Sequence, residues 1–413
     1  MPMFEQYFLM QEADVCAYVR QKLPEYRDME NLACAEIGDG NLNYVFKVTA
    51  PDGRAVIVKQ AGHQLRISED ITLSPDRNRI EAEILLLQDK LAPGFVPKIY
   101  SYDTTMCASI MEYLDGYDLM RTALMRHEIF PQFAGWITTF MVDSLLPTTD
   151  VVMEHKAKKL LQRQYVNPEL CGLTEDLVFT EPYNDRAGRN NVFPPLAGFV
   201  RRELYGDGAL HAEVAKLKFG FMNNAQALLH GDLHTGSIFI KQGSLKVFDP
   251  EFAFYGPMGY DIGNVIANMM FAWCNGEATI ADAKELAAYR QWTESVITDV
   301  ADLTRDKMTA RFGQWVTEEM AKAPGFSEWY IADVMADTAG TVGLELNRRT
   351  VGMANVIDLT QIADQKARAI AEATCILAAK QCIMNRAEVR TGADYLRILH
   401  AAKIEATVLW EEL

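Results

Sequence analysis

The sequence has no C-x-x-C pair, no long apolar run and no surplus of positive charge. Its 7 cysteines are scattered and odd in number, which excludes a paired disulfide framework and reads as reduced thiols of a cytosolic protein. No apolar stretch approaches the length of a membrane span. Residues 1–12 lack the basic segment and apolar run of a secretory leader, so a cytoplasmic location is expected. With 40 Lys and Arg against 56 Asp and Glu, the formal charge of −16 repels nucleic acid and anionic membrane in bulk, and neither is expected as a partner. Internal repeats and low-complexity segments are missing too. What remains is an ordinary apolar fraction of 49% in 413 residues, enough for a large core and for two lobes.

The stretch richest in chemistry is Leu229-His230-Gly231-Asp232-Leu233-His234-Thr235-Gly236-Ser237-Ile238, followed by Val247-Phe248-Asp249-Pro250-Glu251. A glycine-flanked aspartate precedes two short apolar runs joined at Gly243-Ser244, and the second run ends on acids. This predicts a β-hairpin with one carboxylate before it and two after it. Phosphoryl transfer needs that set: one aspartate accepts the proton of the attacking hydroxyl, and others hold Mg²⁺ on the phosphates of ATP. Asp249 and Glu251 lie two apart, and Pro250 between them favours extended geometry at Asp249, which places both side chains on one face. A zinc pair of His230 and His234 is the competing reading, but the flanking glycines oppose a helix there. Packing of the loop is the expected role of His230.

Earlier in the chain, two β-like segments flank Gly38-Asp39-Gly40-Asn41-Leu42-Asn43, although the full G-x-G-x-x-G is not present. A Pro51-Asp52-Gly53 turn then leads to a third strand ending in Lys59. Strand, glycine tip, strand, turn and a lysine-bearing strand make a nucleotide clamp, with Lys59 on the α- and β-phosphates. The lysine needs an acid to hold it. The next predicted helix, residues 76–90, offers Glu81 and Glu83, which point to different faces. After two further strands, Met111-Glu112-Tyr113-Leu114-Asp115-Gly116 reads as a hinge in which main-chain groups of Glu112 and Leu114 meet adenine. From residue 117 onward the apolar spacing is helical, and the segment between residues 66 and 75 reads as a polar loop.

H-G-D-L-H-T-G-S-I with D-P-E-F-A-F-Y-G-P-M-G-Y-D-I-G resembles the methylthioribose kinase family, part of the aminoglycoside-phosphotransferase and protein-kinase-like superfamily. The Gly38–Asn43 element matches the family's G-D-G-N-L-N. The resemblance implies an α+β, bilobal protein-kinase-like fold: a small antiparallel-sheet N-lobe (1–112), a hinge (113–116) and a mostly helical C-lobe (117–413). It implies ATP and Mg²⁺, with Asp249 and Glu251 as metal ligands and Asp232 as catalytic base or orienter of the sugar. Gly38, Asp39, Gly40, Asn41, Asn43, Lys59, Glu81, Glu112 and Leu114 then serve the nucleotide. Glu81 sits at the family's helix acid, and Ser237 where protein kinases carry a metal-binding asparagine. Glu345-Leu346-Asn347-Arg348-Arg349-Thr350-Val351-Gly352 resembles the family's R-R-x-x-G element and makes Arg348 and Arg349 catalytic candidates. Asn43 and Arg348 join Asp232 as sugar contacts. Adjacent arginines on a helix point about 100° apart, so one is expected to face the site while the other anchors elsewhere. Asp261 is expected to brace the catalytic loop. A homodimer is implied by the family alone.

The activity implied is ATP-dependent phosphorylation of 5-methylthioribose on its anomeric hydroxyl, in methionine salvage. The alternatives are a kinase for another 5-deoxypentose, an aminoglycoside- or choline-type kinase, and a nucleotide-binding pseudokinase scaffold. The scaffold reading is opposed by the presence of Lys59, Asp232, Asp249 and Glu251 together. A glycosidase built on two of the acids leaves Lys59 without a role. Two positions leave the family pattern: Tyr113 in the hinge, and Ile71 where the family carries a tryptophan. Ile71 offers the sugar's apolar tail a smaller wall, and such a pocket discriminates one methylene or sulfur by only about 1–3 kcal/mol. Similar kcat/KM values are therefore expected for 5-methylthioribose, 5-deoxyribose and longer 5-alkylthio sugars, with ribose poorer because it buries an unpaired hydroxyl. Ile71→Trp should sharpen the preference; ribose matching the methylthio sugar would remove the apolar-tail account.

Overall fold

A computed structural model describes residues 3–37, 43–62, 64–65, 68–72 and 74–411. The chain forms two compact units, residues 1–117 with 246–253, and residues 118–245 with 254–413. Lys246–Ala253, assigned from the sequence to the second lobe, thus clusters with the first.

The first unit is built on a five-stranded antiparallel sheet of order β1-β2-β3-β7-β6. Its members are β1 (Ala33–Glu36), β2 (Asn43–Thr49), β3 (Ala55–Ala61), β6 (Ile99–Asp103) and β7 (Ala108–Glu112). Period-two alternation decides which face is which. Phe46 and Val48, Val56 and Val58, and Ala108 and Ile110 all enter one apolar core. That core is closed by Val15, Tyr18 and Val19 of α1 (Glu12–Lys22) and by Phe4 and Met10. Buried Gln60 ties the N-terminal segment down, donating to the carbonyls of Phe8 (2.8 Å) and Met106 (3.0 Å). Lys59, between Val58 and Gln60, therefore projects from the opposite face. Helix α2 (Arg77–Leu91) docks through Asn78, whose amide nitrogen donates to the Ser109 hydroxyl (3.3 Å) and the Lys59 carbonyl (3.4 Å).

The polar loop expected over residues 66–75 is instead partly a ribbon. Strands β4 (Gln64–Leu65) and β5 (Ser68–Thr72) pair antiparallel, with Gln64 opposite Thr72. β-branched Ile71 and Thr72 favour extended backbone over a loop. Ile71 lies on β5, and its side chain is outside the described residues.

The second unit is mostly helix, beginning not with helix at residue 117 but with a short strand, β8 (Asp118–Leu119). β8 pairs antiparallel with β10 (Ile238–Lys241), Phe239 opposite Leu119. β10 turns at Gly243 (φ +85°) into β11 (Ser244–Val247), which carries the chain into residues 246–253. Helices α3 (Met120–Met125), α4 (Phe133–Leu145), α5 (His155–Gln164) and α6 (Pro168–Leu177) follow β8. Helix α7 (Ala197–Val200) runs into a π-helical turn at Arg201–Tyr205 before α8 (Gly208–Asn223). Strands β9 (Ala227–Leu228) and β12 (Tyr255–Gly256) pair antiparallel and bracket the loop at 229–237 and the hairpin. Then come α9 (Gly259–Thr279), α10 (Ala283–Trp315), α11 (Phe326–Val351), α12 (Ile357–Thr360), α13 (Gln365–Met384) and α14 (Gly392–Glu411). No helix among the described residues is long and apolar enough to cross a membrane.

Helix α9 is buried throughout its first 18 residues, and α11 crosses both α9 and α13. The α11–α13 crossing depends on a missing side chain: a Cβ at Gly343 would lie 2.4 Å from the Ala379 carbonyl oxygen and 2.6 Å from Ile383 Cγ1. Gly343→Ala should therefore destabilise the chain by about 1–3 kcal/mol, the usual cost of overpacking. The check is the urea midpoint; an unshifted midpoint would show that the helices are not in such close contact.

Candidate active site

The first unit gathers a buried cluster of opposite charges around Lys59. Its Nζ lies 2.9 Å and 2.8 Å from the two carboxylate oxygens of Glu81 and also bonds Asp249. Glu83, the other acid of the helix, faces away and pairs with Arg79 at 2.9 Å. Burial opposes the charge on Lys59, but Asp249, Glu81 and Glu251 outweigh it and hold its pKa up, so it remains an ammonium. Glu251 accepts from the Asn43 side-chain amide (3.0 Å) and lies 3.4 Å from Arg77 Nε. Arg77 and Glu81, four residues apart on α2, share one helix face. No motif marks Arg77 in the sequence, although its spacing places it beside Glu81, an acid it does not serve.

Asp249 and Glu251 do converge, but not through extended backbone. Asp249 has φ +67°, in the left-handed region, and the Ala253 N–H bonds the Pro250 carbonyl at 3.1 Å. The chain makes a tight turn over residues 250–253, and aspartate is among the few non-glycine residues that tolerate the left-handed conformation. The turn and the Lys59 contact override the extended preference that Pro250 imposes locally.

Burial and then the charge of Asp249 push Glu251 up to about 7. Around this point stand three carboxylates, Glu81, Asp249 and Glu251, against the two cations Lys59 and Arg77. A hard divalent cation fits that donor set, since it would relieve the crowded negative charge with oxygen ligands. Asp249 and Glu251 are the side chains that would hold it. No group of three His, Cys, Asp or Glu side chains among the described residues is arranged to hold a metal alone.

Gly38, Asp39, Gly40 and Asn41 lie outside the described residues. At the predicted hinge, the Glu112 N–H donates to the Lys98 carbonyl (2.8 Å). Leu114 follows Tyr113, whose ring carries Lys47 Nζ 3.7 Å from its centroid.

In the second unit the loop at 230–237 is braced from behind by Asp261 of α9. Its carboxylate accepts from the N–H groups of His230 (2.7 Å) and Gly231 (3.0 Å). Gly231 has φ +86°, a bend at the residue before Asp232 that glycine adopts without strain. Nδ1 of His230 accepts from the Asp232 N–H (3.3 Å) and Nδ1 of His234 from the Gly236 N–H (3.0 Å), so these lone pairs serve the loop rather than a shared zinc. Ser237 donates its hydroxyl to the Asp232 carbonyl (2.9 Å) and closes the loop on itself.

Both oxygens of Asp232 are held. Arg348 Nη2 lies 3.0 Å from Oδ1 and His234 Nε2 3.2 Å from Oδ2. Burial opposes ionisation of Asp232, yet His234, Arg348 and Arg349 hold its carboxyl well below the usual carboxylate range. Burial pushes His234 down to about 4, against the pull of Asp232. At neutral pH the ring is therefore neutral, and with Nδ1 accepting, the proton sits on Nε2 and points at Asp232.

Of the two candidate arginines, only Arg348 reaches Asp232. Arg349 Nε lies 3.3 Å from Glu345, and its Nη1 donates to the Ala354 carbonyl at 3.5 Å. Burial, and then the charge of Arg348, push Arg349 down to about 10. Glu345 also pairs with Arg348. Neither His234 as a partner of Asp232 nor a role for Glu345 follows from the motifs; the E-x-x-R-R spacing is the signal in the sequence that points to Glu345. Arg348→Lys keeps the charge but loses the planar fork, and is expected to lower the turnover number of phosphoryl transfer by about 10–100-fold. Arg349→Lys should cost less than about fivefold. Steady-state kinetics on both variants decides; equal losses would overturn the distinction.

Residues 33–298 match the phosphotransferase enzyme family. A methylthioribose kinase from Yersinia enterocolitica is 37% identical over 364 residues, which cover 88% of this chain and 90% of that one. One from Yersinia pseudotuberculosis is 40% identical over 369 residues, covering 88% and 89%. One from Erwinia tasmaniensis is 36% identical over 376 residues, covering 88% and 91%. With the lysine–glutamate pair in one unit and the braced aspartate loop in the other, this similarity shows that the chain belongs to the methylthioribose kinase family of phosphotransferase enzymes.

Proposed function

We propose that this chain transfers the γ-phosphoryl group of ATP to the anomeric hydroxyl of 5-methylthioribose, a step of methionine salvage. The observation that carries the chemistry is Asp232, kept ionised with one oxygen on Arg348 and the other on neutral His234. A carboxylate with a depressed pKa is a weak base but a good acceptor, so its first task is to aim the sugar hydroxyl. In a loose phosphoryl transition state that is the larger share of the work, because the hydroxyl loses its proton late. The hydroxyl oxygen forms its bond to the γ-phosphorus, the bond to the bridging oxygen breaks, ADP leaves with the electron pair, and the proton passes to Asp232. Arg348 balances the charge that develops on the acceptor side.

On the donor side, Lys59 would meet the α- and β-phosphates while Glu81 holds it in place, and Asp249 and Glu251 would hold Mg²⁺. That ion, when bound, neutralises phosphate charge. Asn43 keeps Glu251 oriented. The family resemblance assigns Gly38, Asp39, Gly40 and Asn41, which lie outside the described residues, to the phosphates, residues 113–116 to the hinge, and the carbonyl of Glu112 with the N–H of Leu114 to adenine. The family resemblance supports a homodimer. The reduced-cysteine reading supports a cytoplasmic enzyme.

The test is ATP- and Mg²⁺-dependent formation of a sugar 1-phosphate from 5-methylthioribose by the purified chain. Asp232→Asn keeps size but not proton acceptance, and turnover should fall by roughly 10²–10⁴ while nucleotide affinity is kept. Near-normal turnover of that variant would sink the assignment of Asp232, and no product from the parent chain would sink the sugar.

A further inference from the structure

We propose that Glu345 is a positioning residue of this reaction, setting the Arg348 guanidinium against Asp232 rather than merely neutralising a buried arginine pair. The inference rests on the kinase reading above. Glu345 is 1% exposed and stands three residues before Arg348 and four before Arg349 on α11, so one carboxylate reaches both side chains. It grips Arg348 by Nε, on the same edge of the guanidinium as the Nη2 that meets Asp232. This leaves the guanidinium plane fixed at two points.

The carboxylate is itself anchored. Its Oε1 accepts from the Asn268 amide nitrogen at 3.1 Å, which also donates to the Asn264 carbonyl one turn back on α9 at 2.9 Å. The other end of Asn268, Oδ1, accepts from the Thr235 hydroxyl at 3.0 Å and from Arg121 Nη2 at 3.0 Å. Thr235 follows His234 in the loop that carries Asp232. The arginine and its target aspartate are thus registered to each other by one buried strut, Arg348–Glu345–Asn268–Thr235. Charge neutralisation alone requires no such chain of oriented contacts, and a strut of this kind loses its function when any link changes length.

Glu345→Asp tests the difference, because it keeps the charge and shortens the reach by one methylene. Expected is a fall in kcat of about tenfold or more with KM for ATP within about twofold, and in an Arg348→Lys background the same change should cost less than about threefold. A wild-type kcat for Glu345→Asp, or the same loss in both backgrounds, overturns the proposal. Should that variant fail to fold, Asn268→Ala is run through the same cycle, where additivity again overturns it. A readout without turnover separates this failure from failure of the sugar assignment. The ¹⁵N resonance of His234 Nε2 reports the hydrogen bond to Asp232. It should move with Glu345→Asp in the direction seen for Arg348→Lys, and show no further change in the double variant. A His234 resonance untouched by the Glu345 change overturns the proposal whatever sugar is used.

Discussion

A charge taken out of water must be met by an opposite charge or it is neutralised, and the functional groups of this chain are arranged around that constraint. Lys59 is 7% exposed and Glu81 is 1% exposed. Neither would remain charged alone at such depth. Paired, they hold each other in fixed geometry, and the lysine stays an ammonium able to meet phosphate. Glu81, Asp249 and Glu251 together outnumber the cations Lys59 and Arg77, and burial followed by the charge of Asp249 raises the Glu251 pKa. A chain of net charge −16 thereby holds two cations among its buried acids, a donor set that a hard metal ion would fit.

The second unit solves the same problem with helix geometry. Two adjacent arginines diverge on a helix, yet an acid three and four residues before them collects both. Arg348 is consequently aimed at Asp232, while Arg349 is held on Glu345 and near the Ala354 carbonyl. Asp232 in turn gains one hydrogen bond from a neutral histidine, whose tautomer is set by the Gly236 backbone amide. A carboxylate held this way changes little on meeting a hydroxyl, and such preorganisation is where most of the catalytic advantage in phosphoryl transfer lies.

Backbone details serve the same ends. Asp261 uses both carboxylate oxygens to hold the two N–H groups at the start of the Asp232 loop. The left-handed turn at Asp249 brings Glu251 round to the same cation cluster. Each is a local cost in conformation that persists because the surrounding polar contacts over-determine it.

Features governed by neighbours a few positions away were legible in the sequence. The alternation of Phe46, Val48, Val56 and Val58 marks one sheet face and puts Lys59 on the other. The H-G-D and D-P-E motifs locate the acids, and the helical run after Asp76 supplies Glu81. The left-handed Asp249 was not legible, because Pro250 argues locally for extended backbone and only the contact with Lys59, 190 positions away, outweighs it. Nor did the sequence show that Arg77 supports Glu251, that Arg348 rather than Arg349 reaches Asp232, or that Asn268 links Glu345 to Thr235. Periodicity and motif spacing determine which residues form an element and which face they share, since those depend on bond geometry within a turn or a pleat. Which buried charge meets which depended on tertiary packing, because partners 77 to 208 positions apart are brought within hydrogen-bond distance only when whole helices and strands have docked.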